Sequence, residues 1–178
     1  QIIERKYFSD NKKTIKVQNK NYQNSNFIIT FSSGTTSSPK PILFTQKIKY
    51  ERFLHIKKLY KVKKKDVILS TSPLDHSMGQ RLFFLAILTG CDFVYFASYN
   101  IKIWKKLIKK YSVSLAILPS NYIRLLEESF LKKKIFIKTI VSAASQLSNK
   151  DKYTLRNSNI NFYEMYGASE IGTITSLF

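Results

Sequence analysis

Two short stretches hold the residue types best suited to chemistry, and they lie far apart in the chain. The first, Ser32-Ser-Gly-Thr-Thr-Ser-Ser-Pro-Lys40, follows the β-favouring run Phe27-Ile-Ile-Thr-Phe31. Its small side chains, hydroxyl donors, free backbone N–H groups and one cation suit phosphate oxygens. A Ser/Thr-rich surface turn would have the same composition. The loop lacks the Gly-Lys-Ser/Thr ending of the common nucleotide-binding loop, and Pro39 and Pro41 disfavour a helix starting at Lys40. The lysine is therefore expected on an extended arm. The second stretch, Glu164-Met-Tyr-Gly-Ala-Ser-Glu170, offers an aromatic face, a glycine, a hydroxyl and a carboxylate within one turn. That set suits stacking on a purine, a hydrogen bond to phosphate and Mg²⁺ coordination through oxygen.

Two further loops lie between them. Ser72-Pro-Leu-Asp-His-Ser-Met-Gly79 carries His76, which alone could equally be a structural histidine. Ser142-Ala-Ala-Ser-Gln-Leu147 is small enough for a flat ring to lie against its backbone, and a plain turn would explain it as well.

The elements that must position these loops alternate along the chain. The run at 27–31 reads as a buried strand, and Thr45 can cap a helix to about Tyr60 with an apolar stripe of Ile48, Phe53, Ile56 and Leu59. Strands are expected at 66–71, 93–96, 114–118, 136–141, 160–166 and from 173. Helices are expected at 81–89, stopped by Gly90, at 101–111, at 121–130, and after Ser148, where Ser148-Asn-Lys-Asp151 has the capping-box pattern. Such alternation implies βαβ units: an α/β fold with a mainly parallel sheet layered with helices. Ligands of such sheets gather at the carboxyl ends of strands. Residues 1–26 read as a strand remnant and linker, and 27–178 as the folded unit.

Composition narrows the class. At 178 residues and 44% hydrophobic content the chain is globular and of single-domain size. It has no apolar run of membrane-spanning length and no signal-peptide layout at its start, so a cytoplasmic protein is expected. A single cysteine, Cys91, excludes an intrachain disulfide and reads as a small buried thiol. The net charge of +19 is spread over the chain in lysine pairs and triplets, which reads as solvated helix faces rather than a nucleic-acid surface.

With these loops in view, the chain resembles the adenylate-forming (AMP-binding) superfamily of acyl-CoA synthetases, luciferases and peptide-synthetase adenylation domains. Ser32-Ser-Gly-Thr-Thr-Ser-Ser-Pro-Lys-Pro41 is similar to its Ser/Thr-Ser-Gly-Thr-Thr-Gly-x-Pro-Lys-Gly loop, and Tyr166-Gly-Ala-Ser-Glu170 to its Tyr-Gly-x-Thr/Ser-Glu signature. Pro73-Leu-Asp-His-Ser-Met-Gly79 resembles Pro-Leu-x-His-x-x-Gly, and Ser142-Ala-Ala-Ser-Gln-Leu147 is a weakened Gly-Gly-x-x-Leu adenine loop. The four occur in the family's order over residues 27–178.

The resemblance implies roles. Ser33, Gly34, Thr35, Thr36, Ser37 and Lys40 would cradle the β- and γ-phosphates of ATP. Tyr166 would stack on adenine, with Ala143 and Ala144 beside it, and Gly167 would belong to the same ATP site. Ser169 would bond the α-phosphate, Glu170 would hold Mg²⁺, and His76 would lie at the acyl pocket. The implied reaction joins a small carboxylic acid to AMP, releases pyrophosphate, and passes the acyl group to a thiol of CoA or a carrier protein, as in an acyl-CoA ligase. Lys40, His76 and Glu170 are the catalytic candidates. Ser37, Pro41 and Ala143-Ala144 depart from family glycines, which implies altered nucleotide affinity. The family's later ribose-binding aspartate and C-terminal lysine domain have no counterpart in these residues, so an incomplete catalytic core is expected. A non-catalytic nucleotide-binding remnant and a basic nucleic-acid-binding domain are the rivals. The sequence does not specify an oligomeric state.

Overall fold

The computed structural model describes residues 24–32, 40–98, 100–132, 136–143, 146–168 and 172–177. Eight strands and five helices run through them in chain order: β1 (Asn26–Ser32), β2 (Lys40–Thr45), α1 (Gln46–Leu59), β3 (Val67–Ser70), α2 (Ser77–Thr89), β4 (Asp92–Tyr95), α3 (Ile101–Lys110), β5 (Leu115–Pro119), α4 (Ser120–Leu131), β6 (Thr139–Ala143), α5 (Asn149–Asn157), β7 (Asn161–Ala168) and β8 (Gly172–Leu177). The main sheet has the order β4-β3-β5-β6-β7-β8; its first five strands are parallel and β8 is antiparallel to β7. The expected α/β architecture holds.

Period-two alternation along the parallel strands divides the core. Leu69, Ala116, Leu118, Ile140 and Phe162 face a layer built with Trp104, Leu107, Ile123 and Leu126 of α3 and α4 and Leu155 of α5. Their strand neighbours Ile68, Leu115, Ile117, Val141 and Tyr163 face Phe53, Ile56, Leu82 and Leu85 of α1 and α2. Two helices therefore cover one face and three the other. Between β3 and β5 the winding reverses: the chain leaves β3 toward β4 on the α2 side and returns to β5 on the α3 side. That reversal opens a crevice at the carboxyl ends of β3 and β5.

Local chemistry fixes the helix ends. Thr45 accepts from the Ile48 N–H, and Asn100 accepts from the Lys102 and Ile103 N–H groups. Ser148 and Asp151 form the capping box that the sequence promised. Gly90 ends α2 in the left-handed region at φ 71°. Trp104, fully buried, anchors α3 by donating its indole N–H to the Ser98 carbonyl at 2.8 Å. Lys57 and Lys58 end α1, and Lys109 and Lys110 end α3, where the helix dipole favours cations.

Several expectations need correction. The run at 27–31 is not a buried strand: β1 pairs with β2 alone, antiparallel, and Phe27, Ile29 and Phe31 are exposed at 44%, 55% and 64%. The proline in β2 hides that strand in the sequence; Pro41 pairs with Phe31, which a two-stranded ribbon allows because both of its strands are edges. Helix α2 begins at Ser77, four residues earlier than expected, and takes Gly79 into its first turn. Strand β6 begins at Thr139 and runs through Ser142 and Ala143, while Phe136 is 74% exposed. Strand β7 continues through Tyr166, Gly167 and Ala168 instead of turning there. On α1 the inward stripe is Lys49, Phe53, Ile56 and Tyr60, spaced i, i+4, i+7 and i+11, and Ile48 faces out.

Candidate functional site

Parallel pairing aligns the carboxyl ends of the central strands. Pro119 of β5 stands beside Ala143 of β6, and Ser142 of β6 beside Glu164 of β7. A buried hydroxyl pair, Ser120 Oγ and Ser142 Oγ at 2.7 Å, ties the start of α4 to β6 at this edge. His76 stands at the end of the loop after β3, over the winding reversal. It is exposed, it is the N-terminal cap of α2, and its side chain makes no capping hydrogen bond. Its backbone is held: the His76 N–H donates to the Pro73 carbonyl at 3.2 Å, and the Gln80 N–H to the His76 carbonyl at 3.1 Å. The imidazole is thus presented, not used for support.

Tyr166 is 67% exposed on β7, paired with Thr175 of β8. The β7–β8 register shifts between Tyr166 and Gly167, and such irregularities re-aim side chains at sheet margins. Gly167 is exposed beside it. Ala143 ends β6 and is buried in the α1–α2 side of the core. Lys40 opens β2, exposed and paired with Ser32, so it stands at the mouth of the β1–β2 hairpin. The extended conformation expected for Lys40 is present, as a paired strand. Ser33, Gly34, Thr35, Thr36, Ser37, Ala144, Ser169 and Glu170 lie outside the described residues. Among the candidates that are described, His76, Ala143, Tyr166 and Gly167 belong to the carboxyl edge of the main sheet, and Lys40 to the separate hairpin.

Two features escaped sequence reasoning. Glu164 is a clamp: its Oε1 accepts from the Leu147 N–H at 2.6 Å and its Oε2 lies 2.6 Å from Lys152 Nζ. It ties β7 to the end of the 142–147 stretch and to α5. The second is a basic cavity between α1 and α2, where Lys49, Arg52, Ser77 and Arg81 meet. Lys49 donates to Gln80 Oε1 at 3.0 Å and sits over the Phe44 ring at 4.3 Å. Arg81 Nη1 lies 3.0 Å from the Met165 sulfur, which the Tyr60 hydroxyl also approaches at 3.7 Å. Burial pushes the Tyr60 hydroxyl up to about 12. Neither feature has a sequence signal beyond a lysine in phase with an apolar helical stripe.

Burial, then the charges of Arg52 and Arg81, lower Lys49 from 10.5 to about 8. The folded state then binds fewer protons than the unfolded chain between those values. The associated stability is present above 10.5 and is lost as pH falls through about 8. Because Lys49 is only half-buried, screening reduces the effect, and we expect unfolding free energy to rise by about 1 kcal/mol from pH 7 to 9.5. Urea titrations at both pH values should show this rise in the wild type and little of it in Lys49→Met. Equal rises in both would disprove the assignment.

The class follows from comparison with known proteins. Residues 3–178 match the model of the AMP-binding enzyme family, and the chain belongs to that family. Its fold matches part of the N-terminal domain of adenylate-forming enzymes. O-succinylbenzoate coenzyme A synthetase (MenE) from Bacillus subtilis, in complex with AMP, superposes with a TM-score of 0.78 at 18% identity, over 87% of this chain and 32% of that one. The same synthetase with ATP and magnesium ion gives 0.74 at 18% identity, over 84% and 32%. The N-terminal domain of FACL13 from Mycobacterium tuberculosis gives 0.75 at 15% identity, over 83% and 38%. At these identities the likeness is one of fold, and the chain spans about a third of the length of these structures. A search of curated proteins found no match. No helix among the described residues is long and apolar enough to cross a membrane.

Proposed function

We propose that this chain contributes the nucleotide- and acid-binding core of an AMP-forming acid–thiol ligase. The observation that carries the reading is the shared carboxyl edge. There an uncommitted imidazole at His76, the exposed Tyr166 ring and the small end of β6 at Ala143 stand at the ends of parallel strands. Family membership over residues 3–178 supports it.

In this reading a carboxylate oxygen of the substrate forms a bond to the α-phosphorus of ATP while the bond to the bridging oxygen breaks. Pyrophosphate leaves with its electron pair, and acyl-AMP remains. Tyr166 and Gly167 would face adenine beside Ala143 and Ala144, and Ser169 would donate to the α-phosphate. Ser33, Gly34, Thr35, Thr36, Ser37 and Lys40 would neutralise the β- and γ-phosphates as charge moves onto the leaving group. His76 would border the incoming carboxylate. An oxygen donor such as Glu170 fits Mg²⁺, which would add positive charge at the phosphates. The acyl group would then pass to a thiol, of CoA or of a carrier protein. Residues 1–26 would be the end of a preceding subdomain, and the lysine-bearing domain would come from elsewhere in the full protein.

The test is ATP–pyrophosphate exchange by the full gene product across a panel of carboxylic acids. Acid-dependent exchange is expected. Removing the lysine ammonium deletes charge-assisted bonds to phosphate, so Lys40→Ala should lower exchange about tenfold or more. Glu170→Gln should do likewise. Exchange unchanged in both variants would overturn the site assignment.

A further inference from the structure

Lysines that are scattered in sequence meet at the amino edge of the main sheet, opposite the candidate site. In βαβ winding each helix ends, and the strand after it begins, on that edge. Lys58 stands in the last turn of α1, Lys61, Lys63, Lys64 and Lys65 occupy the turn into β3, and Lys109 stands at the end of α3 before β5. All six are exposed. β3 and β5 are neighbours in the sheet, so the two groups lie side by side. Carboxylates do not balance them. Asp66 is buried and engaged with the Lys63 N–H, the Ser114 hydroxyl and Lys138. Asp92, at the start of the edge strand β4, is the exposed carboxylate among the described residues of this edge. The helix dipole accounts for Lys58 and Lys109, but its effect fades within the last turn and does not reach the three successive lysines at 63–65. Like charges crowded on one surface repel, and an anionic surface opposite them relieves that repulsion.

A second feature stands at the same edge. Phe136 is 74% exposed, more than any other large apolar or aromatic side chain among the described residues. Its backbone is anchored: Ile137 is fully buried, and Lys138 Nζ lies 3.6 Å from Asp66 Oδ1, which fixes the segment beside the 61–66 turn. An apolar ring on an anchored backbone thus stands next to the lysines.

We propose that the amino edge docks on an anionic membrane surface, with the lysines over the lipid head groups and Phe136 in the interfacial layer. Ammonium groups on flexible stems suit the diffuse charge of a head-group layer, and an apolar ring beside them suits its boundary with the acyl chains. Nucleic acid is a poorer match, because paired recognition of phosphate is the strength of arginine, and Arg156 at this edge lies over the Phe162 ring. Docking of this kind is peripheral. It leaves the carboxyl edge facing away from the lipid, and it holds whether or not the adenylation reading does.

Co-sedimentation of the full gene product with lipid vesicles tests it, at about 100 mM salt so that distant charges are screened. Phosphatidylcholine vesicles containing phosphatidylglycerol are expected to bind the protein about tenfold or more tightly than phosphatidylcholine alone. Each lysine near an anionic surface is worth about fivefold, so Lys63→Gln, Lys64→Gln and Lys65→Gln together should weaken binding about tenfold or more. The same loss of charge at the carboxyl edge, as Lys47→Gln, Lys102→Gln and Lys150→Gln, should change it by less than about threefold. Phe136→Ala, which alters no charge, should weaken it about threefold or more. If the 63–65 variant loses its folded circular dichroism spectrum, Lys58→Gln with Lys109→Gln carries the same comparison. No preference for the anionic vesicles overturns the proposal. So does equal weakening by the two triple variants, which would make net charge alone responsible, and so does unchanged binding in Phe136→Ala. Tighter binding to duplex DNA than to the vesicles, lost in the 63–65 variant, overturns it in favour of nucleic acid.

Discussion

Gly79→Ala is expected to destabilise the protein by about 3 kcal/mol and to move His76, because the first turn of α2 lies against the backbone of its own preceding loop. A Cβ at position 79 would overlap the Pro73 carbonyl group and lie 2.7 Å from the Ser72 carbonyl oxygen. Neither obstacle is a side-chain tip that could swing away; both are backbone. Nor can the loop move freely, since the His76 N–H donates to that same Pro73 carbonyl and the Ser70 hydroxyl donates to the Ser72 carbonyl at 3.3 Å. The alanine would therefore separate α2 from the loop, breaking one or more of these bonds and loosening the Leu82 and Leu85 contacts beneath. Overpacking in a close-packed region costs about 1–3 kcal/mol, and the lost backbone bonds bring the total to the upper end. Helix propensity works the other way, since alanine gains about 1 kcal/mol over glycine inside a helix. Urea unfolding decides between these effects. A stabilised Gly79→Ala would mean that propensity wins and that the close approach is not constraining. In the full gene product the displaced imidazole should also weaken acid binding, read as a raised KM for acid in the exchange assay.

Gly79 also shows how far the sequence could be read. As part of Pro73-Leu-Asp-His-Ser-Met-Gly79 it is recognisable as motif, and glycine, a poor helix former, gives no local sign of a helix there. Its role is spatial: it lies inside α2, where a glycine lets two backbones meet. The regular elements were legible because their signals were local. Thr45 and Ser148 cap helices, Gly90 stops one, and short apolar runs make the five parallel strands. The β1–β2 ribbon departs from its sequence expectation for a complementary reason. The run Phe27–Phe31 has the composition of a buried strand, and burial depends on what packs over it, which composition does not encode. Lysine spacing was equally opaque. Two residues of helical phase separate Lys49, drawn inward beside Arg81, from the exposed Lys47. At the site, residue types and order were readable; Tyr166 lies within β7 near its carboxyl end, and His76 in the loop between β3 and α2. The separation of Lys40 onto a different sheet was not readable, because strand pairing joins residues distant in sequence.

Glu164 makes the same point and yields the second large effect. It precedes the Tyr-Gly signature, yet its neighbours in sequence give no hint of its partners, Leu147 and Lys152, which arrive from another loop and another helix. The ion pair is well withdrawn from water, with the Lys152 side chain 20% and the Glu164 side chain 12% exposed. Glu164→Gln keeps the shape and an acceptor for the Leu147 N–H, but leaves Lys152 charged without its carboxylate. Breaking a fully buried pair costs about 3–5 kcal/mol; the residual exposure here brings the expectation to about 2 kcal/mol. Replacing both groups, as Glu164→Gln with Lys152→Met, removes the stranded charge and should recover at least half of the loss. A double mutant no more stable than Glu164→Gln alone would show that the cost lies in the hydrogen bond, not the charge. The local readout is amide exchange at Leu147. Ser142 and Ala143 are held in β6 by their own pairing, whereas the Leu147 N–H donates to this carboxylate oxygen of β7. Glu164→Ala should therefore speed Leu147 exchange by about tenfold or more while the Val141 amide, deep in the sheet, changes only with global stability. Equal acceleration at both positions would mean that Glu164 supports the fold as a whole. Acceleration confined to Leu147 would identify it as the residue that holds the far end of the 142–147 stretch against the strand carrying Tyr166.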